Sequence, residues 1–152
     1  KVNVYDPFVS TEVIKDFGGN KIENLDVGLK NCDYLSLHIP LTEKTKNMIN
    51  YEKIKTMKKN AIIINTSRGG IINEFDLDKA LQNNIIFGAG LDVFEKEPID
   101  KNNPLINNKK VLLSPHSATF TNECKSRMAI ETTKNIIDFF ENTLDKSMIV
   151  KI

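Results

Sequence analysis

The run Ala61-Ile62-Ile63-Ile64-Asn65 constrains this chain more than any other stretch. Uninterrupted β-branched residues favour a strand, and one without polar alternation is expected to be covered on both faces, as in a parallel sheet. Parallel strands need crossover connections, usually helices. The flanking sequence supplies them. Strand signals fall at 2–5, 33–39, 61–65, 86–93 and 111–113, and helix signals at 11–17, 25–31, 51–58 and 121–142. Asn73 is a suitable N-cap for a further helix through Asn83. Asp6-Pro7, Gly18-Gly19 and Pro40 stop the elements they follow. This alternation predicts an α/β fold, a doubly wound parallel sheet of the Rossmann type.

At 152 residues the chain holds one domain with a proper core and is too short for two full ones. Its first residues, Lys1 to Asp6, already read as a strand, so a piece cut inside a longer domain is expected. The last residues, 147–152, read as extended, with no helix after them. Lysine and arginine number 21 against 20 acidic residues, so no global field favours nucleic acid. No apolar run approaches the ~20 residues of a membrane span. Cys32 and Cys124 form neither a metal-ligand spacing nor a disulfide framework, which suits a reducing cytoplasm and no metal.

In open α/β sheets ligands gather at the carboxyl ends of the strands. Asp6, Pro40, Arg68, Asp92 and His116 all fall at such ends. Arg68 precedes Gly69-Gly70, which let the backbone turn sharply near a ligand. A guanidinium grips a carboxylate through two parallel hydrogen bonds; the alternative for Arg68 is a solvated loop cation. Glu97 and His116 are the one acid–imidazole pairing with strand-end placement on both sides. A carboxylate beside an imidazole orients the ring and favours its protonated form. Otherwise His116 would cap the long helix, and His38 reads as a packed residue. Together Arg68, Glu97 and His116 suit binding a 2-oxo acid, polarising its carbonyl and delivering a proton. The missing hydride points to a nicotinamide cofactor.

Asp6 is either an acceptor for the adenosine ribose or an Asp-Pro turn starter. An acid there repels a ribose phosphate, which favours NAD over NADP. The G-x-G-x-x-G turn should then lie just upstream of Lys1, since neither Gly18-Gly19 nor Gly69-Gly70 has its spacing. Asp92 follows a buried strand and is read as a cofactor contact or a backbone cap.

With these residues in view, the chain resembles the D-isomer-specific 2-hydroxyacid dehydrogenases, most of all the D-3-phosphoglycerate dehydrogenase branch. The matching stretches are Tyr5-Asp6-Pro7; His38-Ile39-Pro40-Leu41-Thr42 with Thr45 and Met48; Ile64-Asn65-Thr66-Ser67-Arg68-Gly69-Gly70; Gly90-Leu91-Asp92-Val93-Phe94-Glu95-Lys96-Glu97-Pro98; and Leu113-Ser114-Pro115-His116. They occur in the family's order and spacing through nearly the whole chain.

The resemblance implies that His116 is the general acid/base, paired with Glu97, and that Arg68 binds the substrate carboxylate and carbonyl. It implies that Asp6 holds the adenosine ribose and Asp92 the nicotinamide end. Ile39, Pro40, Thr66, Ser67, Arg68 and the turn from His116 to Ala118 would line the cofactor. NAD is then the cofactor and a small 2-hydroxy or 2-oxo acid the substrate. 3-Phosphoglycerate comes first, with glycerate, hydroxypyruvate, glyoxylate and D-lactate as alternatives. Formate dehydrogenases of the superfamily carry glutamine in place of the glutamate, so Glu97 argues against that branch. Ser117-Ala118-Thr119-Phe120 stands where many relatives have Gly-Gly after the histidine.

The same resemblance implies a partial NAD-binding domain over residues 1–146 and a return segment, 147–152, toward a substrate domain. A homodimer formed through the cofactor domain is implied as well. The competing reading is a corepressor-like NAD sensor, which would keep the fold and hold the cofactor without fast turnover.

Overall fold

The computed structural model of the chain describes residues 1–149. All its strands run parallel. A short pair joins β1 (Asn3–Val4) to β2 (Asn20–Lys21), with α1 (Thr11–Asp16) between them. A four-stranded sheet follows in the order β3 (Tyr34–Leu37), β4 (Ile62–Asn65), β5 (Gly88–Leu91) and β6 (Val111–Leu113). Its connections carry α2 (Leu25–Asn31) before β3, α3 (Tyr51–Ile54) before β4 and α4 (Glu74–Gln82) before β5. Parallel sheets with flanking helices make this a Rossmann-like domain.

Local sequence explains most of the helix starts. Ser10, Asn24, Asn50 and Asn73 cap α1 to α4, each side chain accepting from a backbone N–H in the first turn. The expected helix over 51–58 stops as an α-helix at Ile54. Beyond it Thr56 N and Met57 N donate three residues back, and Thr56 Oγ1 takes the Lys53 carbonyl at 2.8 Å. That hydroxyl competes with a helical ladder and tightens the last turn. β2 was not anticipated, because two residues beside Gly18-Gly19 carry no strand pattern.

The core lies on one face of the four-stranded sheet. Ile63 from β4 and Leu91 from β5 meet Leu29 of α2, Ile54 of α3 and Leu77 and Leu81 of α4, all buried. The opposite face differs from expectation. Ile62 and Ile64 are only half-buried, while Leu112 is 82% and Tyr34 69% exposed. No described helix of the first compact unit covers them, so within that unit helices pack on one side of the β-branched run. A concavity of about 560 Å³ lies over this face, lined by Ile62, Ile64, Gly88, Gly90 and Leu112.

The chain falls into two compact units, Lys1–His116 and Ser117 onward. The second contains α5 (Asn122–Phe140), capped by Thr121. By itself it exposes Met128, Ile130, Ile136, Ile137, Phe139 and Phe140. Where extended chain was expected from residue 147, Lys146–Met148 form a 3-10 turn, because Asp145 Oδ1 accepts from Ser147 N at 2.8 Å. The rest of that expected segment, 150–152, lies outside the described residues. No described helix is long and apolar enough to cross a membrane.

Candidate active site

Register brings three strand ends level. Asn65 of β4 sits opposite Leu91 of β5, which sits opposite Leu113 of β6. The next residues of each strand therefore emerge side by side. Backbone bonds fasten them there: Asp92 N donates to Asn65 O at 3.0 Å, and His116 N donates to Asp92 O at 2.8 Å.

After β4, the buried side chain of Asn65 shapes the turn that carries Arg68. Its Oδ1 accepts from Ser67 N at 3.0 Å and Ser67 Oγ at 2.8 Å, and its Nδ2 donates to Arg68 O at 2.8 Å. This is an Asx turn closed by an amide. Thr66 and Arg68 are exposed, and Arg68 Nη1 donates to Ser67 O at 2.6 Å. Gly69 then passes directly under the next loop. A Cβ there would stand 1.8 Å from Phe94 O, so only glycine lets the two backbones meet.

After β5, the Asp92 carboxylate is 3% exposed and accepts from Ser114 Oγ at 2.5 Å. Glu97 follows on an exposed loop. Its Oε1 accepts from Phe94 N at 3.0 Å, and its Oε2 lies 2.7 Å from His116 Nδ1. The hydrogen bond from His116 and, after it, the Phe94 N–H hold the Glu97 carboxyl below its ordinary range. An ionised carboxylate only accepts, so His116 Nδ1 is the donor and Nε2 is the atom left for other chemistry. His116 holds φ at +52°, a left-handed conformation uncommon for a residue with a side chain.

The other expected site residues are distributed as follows. Asp6 lies just beyond β1 and accepts through Oδ1 from Phe8 N at 2.8 Å and Val9 N at 3.1 Å, so its turn-starting role is realised. Ile39 packs against the core and Pro40 is exposed, with Thr45 Oγ1 donating to Pro40 O at 2.7 Å. Ser117 and Ala118 open the second unit. His38 is exposed, not packed: β3 is an edge strand, and the ring meets Ser36 Oγ at 2.7 Å. The sequence reading missed Asn65, Ser114 and Glu74. An asparagine closing a strand before Thr-Ser was the available signal for the first.

The family model for the D-isomer specific 2-hydroxyacid dehydrogenase, NAD binding domain, matches residues 1–118. The chain belongs to this family. NAD is the family domain's cofactor. A glyoxylate reductase of Korarchaeum cryptofilum is 39% identical over 98% of this chain and 45% of its own length. A D-3-phosphoglycerate dehydrogenase of Methanocaldococcus jannaschii is 43% identical over 80% of this chain and 23% of its own. Among solved structures, D-lactate dehydrogenase with NAD+ from Lactobacillus jensenii superimposes with a TM-score of 0.85 at 30% identity, covering 100% of this chain and 48% of that one. The chain thus spans about half the length, 45% and 48%, of two of these dehydrogenase relatives.

Proposed function

We propose that the protein containing this chain transfers a hydride between NAD and a small D-2-hydroxy or 2-oxo acid. The observation that carries the reading is the 2.7 Å pair of His116 Nδ1 and Glu97 Oε2 at the level strand ends. In the reductive direction His116 Nε2–H gives its proton to the substrate's carbonyl oxygen, and Glu97 stabilises the ring that carried it. In oxidation Nε2 takes the hydroxyl proton. Arg68 binds the substrate carboxylate through its fork of N–H groups. When bound, NAD supplies or accepts the hydride.

The residues present fit the two ends of such a cofactor better than its middle. Asp6, half-buried just beyond β1, would accept from the adenosine ribose. Asp92, Thr66, Ser67, Ile39, Pro40 and the turn from His116 to Ala118 would line the rest. None of the seven glycines completes a G-x-G-x-x-G turn for the pyrophosphate. The 152 residues alone should therefore be nearly inactive, as half of a pocket loses the positioning on which rate depends. Residues 1–146 serve as an incomplete NAD-binding domain and 147–152 as a return toward a substrate domain.

3-Phosphoglycerate is the first substrate to test. Glyoxylate and hydroxypyruvate come second, supported by similarity to a glyoxylate reductase over 98% of the chain. A cytoplasmic homodimer completes the proposal; Cys32 and Cys124 are both free, as a reducing compartment would keep them.

The test is NADH oxidation by the full-length gene product with 3-phosphohydroxypyruvate, hydroxypyruvate, glyoxylate and pyruvate. Turnover on one acid, reduced about 10²–10⁴-fold in His116→Ala, supports the reading and names the substrate. Tight NADH binding with no turnover on any acid overturns it in favour of an NAD sensor.

A further inference from the structure

We propose that Glu74 is a positioning residue whose buried carboxylate clamps both ends of the loop presenting Glu97 to His116. The inference rests on the reading of Glu97 and His116 as the acid/base pair.

Glu74 is the first residue of α4 and is 6% exposed. Its Oε1 accepts from Glu95 N at 2.7 Å, two residues before Glu97. Its Oε2 accepts from Asn103 Nδ2 at 2.5 Å, six residues after Glu97. Between these anchors the loop is nearly all solvent-facing, with Ile99 alone packed partly against the core. Little apolar burial fixes its path, so the polar clamp carries that task.

The chemistry of the clamp requires an acid. One donor is a backbone N–H and the other an amide NH₂, so the side chain between them must accept on both oxygens, which only a carboxylate does. A glutamine would turn an NH₂ toward one of the two donors. The first turn of a helix also favours a negative charge. Glu97 then makes its two contacts, with Phe94 N and His116 Nδ1, only while the loop keeps this course. The charged groups facing Glu97 are His116 and, opposing it, Asp92.

Asp78 offers an internal control. It is a second buried acid on α4, 7% exposed, and accepts from Asn108 Nδ2 and Gln82 Nε2, both at 2.7 Å. It fastens the same connection further along, at Asn108, beyond the stretch that carries Glu97. A merely structural role for Glu74 would make the two acids equivalent with respect to Glu97.

The experiment is a ¹³C NMR titration of the Glu97 side-chain carboxyl in the full-length gene product, with no substrate or cofactor added. Failure of the dehydrogenase assay would therefore leave its result intact. In Glu74→Gln the Glu97 midpoint should rise toward its ordinary 4.5, while in Asp78→Asn it should stay at the wild-type value. A folded Glu74→Gln with an unmoved midpoint, or an equal rise in Asp78→Asn, overturns the proposal. If Glu74→Gln does not fold, Asn103→Ala removes one arm of the clamp and leaves α4 intact. It should give a smaller rise, and no rise there overturns the proposal equally.

Discussion

Four residues of β4 show both surfaces of the sheet and how unequally they are treated. Ile63 and Asn65 point into the core and are 0% and 2% exposed. Ile62 and Ile64 point the other way and stay half-buried. The residue types are nearly the same, yet within the first compact unit only one surface meets described helices. Packing, not strand propensity, therefore decides which isoleucines stabilise the chain. The residues of the proposed site lie on neither surface. They gather where the strands end, held by backbone bonds and by polar side chains such as Asn65, Glu74 and Asp92.

Truncating Ile63 should have the largest effect. Ile63→Ala leaves a hole among Leu29, Ile54 and Leu77 and should cost about 2–5 kcal/mol in urea denaturation of the chain. Gly69→Ala comes next, because its methyl would meet the Phe94 carbonyl. A loss of about 1–3 kcal/mol is expected, with the Glu97–His116 contact disturbed in NMR spectra. Ile64→Ala should cost under about 1.5 kcal/mol, since part of its surface already meets water. A cost equal to that of Ile63→Ala would mean the second surface is covered in solution, and sedimentation would then show self-association.

The smallest effect is a pH dependence at the strand ends. Glu97 titrates lower in the folded chain than its ordinary 4.5. Its contribution is thus present above about pH 4.5 and fades as pH falls through the depressed folded value. Stability of wild type minus Glu97→Gln, followed by denaturation from pH 7 downward, should shrink across that window. A flat difference would separate Glu97 from His116 in solution.

Much of this was legible in the chain because the signals were local. The β4 run, the Asn73 cap and the register of polar residues after apolar strands each need only a few consecutive residues. Strand-end placement also singled out Arg68, Glu97 and His116, and the family motifs added the roles expected of them. What escaped depends on distance. Glu74 looks like an ordinary acid in the first turn of a helix, where solvent exposure is the usual reading. Its partner Asn103 lies 29 residues away. The open surface escaped for a similar reason, because Ile62 and Ile63 are identical in sequence and differ only in what packs against them. His38 was misjudged because nothing local shows that β3 is an edge strand.

At Gly69 two main chains touch with no side chain between them, so there is no compliant material at the joint. The turn bearing Arg68 and the loop bearing Glu97 are thereby one mechanical part. Thermal displacement of the turn at Arg68 is then shared by the loop that leads to Glu97.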